Sequence, residues 1–237
     1  GGEATVLEAE SVAWGASGRN GSFCSPSFKA EWETIEKRYG SQMALEFWKW
    51  AMGAVAYVGE LVDREGIQCD FRRTGMLGLA VKPSHAVGFQ RYNDYLTERF
   101  GYSETQFLPK EALESEIGSQ IYHGGAIFEM CYQLQPAKFV YGFSQAAQRA
   151  GAKVAEKAVV TRIERQAGQF LIGTGRGQTR AENVLLATNG YTTWLKRKAR
   201  NGVLPVGSYM IVTEPLTEEI QRTVSPNGRL FWDSKHY

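Results

Sequence analysis

Apolar and polar positions alternate along this chain in patterns that predict its elements one after another. Residues 4–9, "ATVLEA", form a short apolar run interrupted by Glu8, which predicts a buried strand whose end faces a ligand. A helix is expected from about Ser27 to Tyr39, closed by Gly40 as a left-handed cap. A second runs from Ser41, a good N-cap, to Glu65. Phe47, Ala51, Ala54, Val55, Val58, Leu61 and Val62 fall on one of its faces, with Trp48 and Trp50 flanking it, as ordinary core packing requires.

Asp70 to Val81 returns to strand character, with glycines at 75 and 78. Pro83 to Gly101 reads as helix, Phe107 to Ile117 as a loop and a short helix, and 124–136 as strand and turn ended by Pro136. Phe139 to Ala150 is an amphipathic helix stopped by Gly151. Strands follow at 152–155, 159–165 and 169–174, with a turn at "GRGQ". Asn183 to Thr188, "NVLLAT", has the unbroken apolar character of a strand inside a parallel sheet. Layered helix and strand thus occupy 1–70 and 136–202, and antiparallel segments occupy 71–135 and 203–237. The fold class is α/β, with two interleaved domains in place of two in tandem.

Composition narrows the function little. The chain has 237 residues, 43% hydrophobic and 22% charged, which suits a globular protein with a real core. A net charge of +2 lacks the basic excess of a dedicated nucleic-acid binder. Cys24, Cys69 and Cys131 are odd in number and far apart, so free thiols in a reducing, cytoplasmic setting are expected. His85, His123 and His236 are equally scattered, which gives a metal centre no support. No apolar run reaches membrane-spanning length. The chain opens without methionine directly into a strand, and is expected to be part of a longer protein.

Three stretches carry possible chemistry. Glu8 ends a strand, and an acid there accepts hydrogen bonds from ribose hydroxyls in dinucleotide-binding units. Strands end in acids often, and the glycine fingerprint that belongs about 20 residues before such an acid would precede Gly1. The loop "WGASGRNGSF" (14–23) sets glycines at 15, 18 and 21 around Ser17, Arg19 and Asn20. Such a loop can cradle a phosphate with backbone N–H groups, or be a solvated glycine turn. "LLATNGY" (185–191) ends a strand in small residues, over which a cofactor can pass, or is a strand with an Asn-Gly turn. "GTGRG" (173–177) opens no helix and reads as a hairpin turn, and "KRKAR" (196–200) as solvated surface. No nucleophile elbow, zincin motif or Walker loop occurs.

Four blocks in one order go further. "TVLEAESVAWGASGRNGSF", "LQPAKFVYGFSQAAQRAGAKVAEKAVVTRIER", "VLLATNGYTTWL" and "VLPVGSYMIVTEPL" together resemble the D-amino-acid oxidase-like (DAO) family of FAD-dependent oxidoreductases, closest to its gamma-glutamylputrescine oxidase branch. The resemblance covers nearly the whole chain and implies an FAD-binding, Rossmann-like domain interleaved with an antiparallel-sheet substrate domain. It implies that Glu8 binds the adenosine ribose. Ala16, Ser17, Arg19, Asn20 and Gly21 would line the pyrophosphate and the approach to the flavin ring. Val160 would lie by the adenine, and Ala187, Thr188 and Gly190 near the dinucleotide. Met76 and Tyr209 would face the substrate side.

The resemblance also implies a reaction. Hydride would pass from the carbon beside an amine nitrogen to FAD, the imine would hydrolyse, and oxygen or another acceptor would take the electrons. The substrate would be a small amine or amino acid, with no catalytic residue assigned and Cys24 an ordinary thiol. Gly21-Ser22 stands where this branch often has Gly-Gly. The family's first strand and its C-terminal flavin-covering segment are not in this sequence. The piece by itself is therefore expected to be inactive and its loop empty of FAD. The alternative is a non-catalytic binding module that keeps the fold without flavin; an NAD-dependent dehydrogenase suits the loop and the interleaving less well.

Overall fold

The computed structural model describes residues 3–192 and 197–235. Lys196 of the basic cluster, His236 and the end of the third resemblance block lie outside the described residues. Two compact units form, one from residues 1–20 and 136–211, the other from 21–135 and 212–237. The sequence alone would set these crossings at 70/71 and 202/203. Residues 21–70 group with the second unit because their aromatic side chains enter its core and their short strand joins its small sheet.

In the first unit, β1 (Thr5–Leu7) pairs in parallel with β8 (Lys153–Ala155), Val6 opposite Val154. Helix α4 (Pro136–Arg149) precedes β8 and packs against the turn at Ala16–Gly18. β9 (Val160–Gln166), β10 (Gln169–Thr174) and β11 (Gly177–Ala181) make an antiparallel meander. Its second hairpin pairs Thr174 with Gly177, so "GTGRG" is the hairpin turn its setting predicts.

Two expectations fail here. Residues 183–188 form no strand, and Leu185 is 90% exposed. Among the described residues β1 and β8 have only each other, and an apolar segment without a ladder to join does not settle as a strand. For the same reason β1 is not buried: Val6 is half exposed. Residues 203–213 are likewise without regular structure, followed by α6 (Glu218–Val224). The short helix α5 (Arg197–Asn201) lies just before them.

The second unit is built on a four-stranded sheet in the order β12 (Leu230–Asp233), β4 (Met76–Leu79), β6 (Gly124–Phe128), β5 (Thr105–Pro109). The β4–β6 and β5–β6 pairs are antiparallel, but β12 runs parallel to β4, against the antiparallel character expected of 203–237. Strand alternation divides the core. Leu77, Leu79 and Ile127 face Leu108, Leu113 and Ile117. Ala80, Ala126 and Phe128 face α3 (Pro83–Phe100) and the helices α1 (Trp32–Tyr39) and α2 (Ser41–Glu65) through Phe89, Leu96, Trp32 and Trp48. Gly78 is required there, because a Cβ would lie 2.8 Å from both the Phe89 and the Trp232 rings.

Two helix details differ from the sequence pattern. Gly40, at φ +84°, separates α1 from α2 and is the cap residue; Ser41 is already helical and its hydroxyl donates to Glu36 at 2.6 Å. The buried face of α2 is Ala44, Trp48, Ala51, Val55 and Val62. Trp48 is thus at the centre of the face it was expected to flank, where it stacks on Phe100 at 5.0 Å. A small sheet, β2 (Phe23–Cys24), β7 (Tyr132–Gln133) and β3 (Arg72–Arg73), completes the unit.

Candidate cofactor site

The strand pair β1/β8 ends where the candidate acid begins. The Glu8 amide donates to the Ala155 carbonyl at 2.9 Å, and the Ala158 amide donates to the Glu8 carbonyl at 2.8 Å. The Lys157 amide continues the ladder to Glu10, whose carboxylate pairs with the Lys157 ammonium. Glu8 is thereby fixed at the carboxyl end of a parallel pair, the edge at which open α/β sheets hold ligands. The Glu10 amide donates to Glu8 Oε1 at 2.8 Å, and among the described residues nothing bonds Oε2, which is left to accept from a ligand hydroxyl. Val160 opens β9 two residues beyond Ala158, so it leaves the same end of the pair.

The glycine loop is a defined turn. Residues Ala16–Gly18 form a single 3-10 turn, in which the Gly18 amide donates to Gly15 and the Arg19 amide to Ala16, both at 3.1 Å. Gly18 is obligatory: a Cβ would sit 2.0 Å from the Ala13 carbonyl oxygen. The Asn20 side chain donates to the Ser17 carbonyl at 2.9 Å and so closes the turn upon itself. The Arg19 guanidinium stands 4.7 Å from the Trp14 ring centroid, and Trp14 in turn meets Tyr191 at 5.9 Å. A Cβ on Gly15 would contact that same Tyr191 ring at 3.4 Å.

Tyr191 brings in the other half. It ends the 3-10 turn Asn189–Tyr191, whose Tyr191 amide donates to Thr188 at 2.8 Å. The Thr192 hydroxyl donates to the Asn189 carbonyl at 2.7 Å, and lies 2.8 Å from the Thr188 hydroxyl. Tyr191 thus brings the turn Asn189–Tyr191 to the glycine loop, and Ala187, Thr188 and Gly190 lie in or just before that turn with no strand preceding them. Trp14 and Tyr191 were not singled out by the sequence. The only signal was an aromatic residue beside a glycine in each motif.

Gly21 is the first residue of the second unit, to which Met76, the first residue of β4 and partly packed in the α3 core, also belongs. Gly75 before it takes φ +65°. Its carbonyl accepts from Leu230 at 3.3 Å, and Arg229 bonds the Thr74 carbonyl while pairing with Glu116 at 2.8 Å and Glu129 at 2.9 Å. Tyr209 belongs to the first unit, in the irregular 203–213 segment, and is 94% exposed. Burial pushes the Cys24 thiol up, and that of Cys131, with Cys24 beside it, up to about 12. Both are therefore neutral, weakly nucleophilic thiols.

A dinucleotide needs an acceptor for a ribose diol and donors for a pyrophosphate. Glu8 Oε2 is the first; the Arg19 guanidinium and the Ser17 hydroxyl are of the second kind, beside a turn that excludes a side chain at Gly18. The donor set fits the group. A family model described as "FAD dependent oxidoreductase" (DAO) matches residues 1–236. The chain belongs to this family.

Relatives agree with the family. The "Probable oxidoreductase OrdL" of Haemophilus influenzae is 28% identical over 233 residues, which is 97% of this chain and 54% of that protein. The gamma-glutamylputrescine oxidoreductase of Escherichia coli is 27% identical over 227 residues, 95% of this chain and 53% of that protein. Glycine oxidase from Geobacillus kaustophilus shares the fold at a TM-score of 0.64 and 22% identity, covering 84% of this chain and 52% of that one. The DAO-family chain therefore spans about half the length of the curated relatives it matches. Among the described residues no helix is long and apolar enough to cross a membrane.

Proposed function

We propose that this chain is the FAD-holding and part of the substrate-facing portion of an oxidoreductase that oxidises the C–N bond of a small amine or amino acid in a reducing, cytoplasmic compartment. The observation that carries the reading is Glu8, fixed by Ala155 and Ala158 at the end of the β1/β8 pair with one carboxylate oxygen open. In this reading Glu8 holds the adenosine ribose diol, and Val160 lies by the adenine. Ser17 and Arg19 face the pyrophosphate, with the Ala16 and Gly21 backbones against it. Asn20 holds their turn in shape, as its bond to Ser17 implies. Ala187, Thr188 and Gly190 border the dinucleotide through the Trp14–Tyr191 contact.

When bound, FAD supplies the acceptor for a hydride leaving the carbon beside the amine nitrogen. The chain's own part is to orient and to exclude water. Met76, held at the start of β4 by the Gly75 and Arg229 contacts, would lie on the substrate side. Units 1–20 with 136–211 and 21–135 with 212–237 take the roles of FAD-binding and substrate domain. The names of the relatives support an amine or amino-acid substrate, and the retained Glu8 site disfavours a binding module that has lost its flavin.

The test is made on the full-length protein. It should be yellow, and its flavin absorption should bleach when an amine or amino-acid substrate is added without oxygen. A full-length protein that stays colourless after incubation with FAD would overturn the proposal, as would a flavin that no amine or amino acid reduces.

A further inference from the structure

Three carboxylates gather where β1 and β8 end, each with a different partner. Glu8 accepts from the Glu10 amide and Glu10 holds the Lys157 ammonium, while Glu156 Oε1 accepts from the Val12 amide. Two of these bonds come from one bend, Glu156 and Lys157, between β8 and β9. Lys157 stands there at φ +53°, in the left-handed region that residues with a side chain seldom adopt. Such a conformation persists only where the surroundings hold it. The Lys157 amide donates to the Glu10 carbonyl at 2.9 Å, so this residue grips Glu10 by both backbone and side chain. Arg176, in the turn between β10 and β11, braces the bend by donating to the Glu156 carbonyl at 3.0 Å.

We propose that Lys157 is a positioning residue for the cofactor: by gripping Glu10 it sets the amide that orients the Glu8 carboxylate. This rests on the reading that Glu8 holds the adenosine ribose. The contacts run without a break from the lysine to the acid. Lys157 holds Glu10, and the Glu10 amide donates to Glu8 Oε1 at 2.8 Å. That bond fixes the plane of the carboxylate, and with it the direction in which Oε2 meets a ligand hydroxyl. Charge acts in the same sense. Without the ammonium, Glu10 would be an unpaired carboxylate two residues from Glu8, competing for the hydroxyl donors of the same diol.

Stability is not what the lysine supplies. The Lys157 and Glu10 side chains are 65% and 41% exposed, and ion pairs in contact with water contribute little to folding. A left-handed lysine is itself unfavourable, whereas glycine adopts that backbone freely. Glycine at this position would keep the amide bond to the Glu10 carbonyl and relieve the backbone. It would lose only the ammonium. The effects on folding and on the cofactor therefore point in different directions, which a residue serving the fold alone would not show.

FAD titration of the full-length apoprotein, with thermal melting of the same samples, separates the two. Lys157→Gly should weaken FAD binding about three- to five-fold and leave the apoprotein at least as stable. Lys157→Met, which keeps the length and loses the charge, should weaken binding to the same extent. In a Glu8→Ala background, Lys157→Gly should change the affinity by less than about 1.5-fold, because its effect passes through Glu8. Unchanged affinity in Lys157→Gly and Lys157→Met overturns the proposal, as does an equal weakening with Glu8 already removed. So does a Lys157→Gly apoprotein that melts lower or no longer folds, since the residue would then serve the fold. If Glu8→Ala alone leaves the affinity unchanged, the ribose reading fails and the role of Lys157 with it. If Glu8→Ala weakens binding and the Lys157 variants do not, only the role of Lys157 falls.

Discussion

Gly18 shows how closely the loop is drawn around its own backbone. With the Ala13 carbonyl where a Cβ would be, any side chain forces either the turn or Ala13 to move. Gly18→Ala in the full-length protein should therefore weaken FAD binding at least about tenfold, or about 1.4 kcal/mol, with little change in far-ultraviolet circular dichroism. Unchanged affinity, read by flavin titration, would mean that the turn is not against the cofactor. The position of Glu8 just after a strand and the tight turn of this loop were legible in the sequence because both are local: an acid ending an apolar run and three glycines at even spacing. The Trp14–Tyr191 contact was not, because two aromatic residues far apart in the chain carry no mark of their pairing. Nor did Asn20 announce that its amide would cap the turn.

At the scale of elements, periodicity placed most helices and strands but not the faces they turn inward. In α2 two stripes one residue apart compete for the core, and hydrophobicity alone does not say which wins; the tight stacking of Trp48 on Phe100 decides it. Residues 183–188 have strand composition and no strand, because pairing is a property of neighbours and not of the segment. Arg229 is the converse, a single residue in an unremarked stretch that holds several elements together. It joins Glu116 after β5, Glu129 after β6 and the Thr74 carbonyl before β4, and is largely buried among them. Arg229→Ala should leave the Glu116 carboxylate buried without its partner and destabilise the protein by about 3–5 kcal/mol, the range for breaking a buried pair from one side. Arg229→Lys should recover only part of this, since one ammonium cannot reproduce a planar fork reaching two carboxylates. Urea unfolding measures both, and an Arg229→Ala loss under about 1 kcal/mol would class the cluster with ordinary surface pairs.

At the scale of the molecule, the chain passes three times between two units, where the alternation of layered and antiparallel segments along the sequence predicts two interleaved domains. The exact crossings were not legible. They depend on Trp32 and Trp48 entering the α3 core, a long-range choice that composition does not record. Family membership ties the whole length to FAD chemistry, and the match to about half of each curated relative makes the full-length protein the object to measure. The central claim is that Glu8 holds the cofactor at the end of the β1/β8 pair, so FAD titration of the full-length apoprotein against its Glu8→Ala variant tests it most directly. Losing hydrogen bonds to a charged acceptor should raise the dissociation constant about 10- to 100-fold at unchanged thermal stability of the apoprotein. Equal affinity in the two proteins would contradict the account.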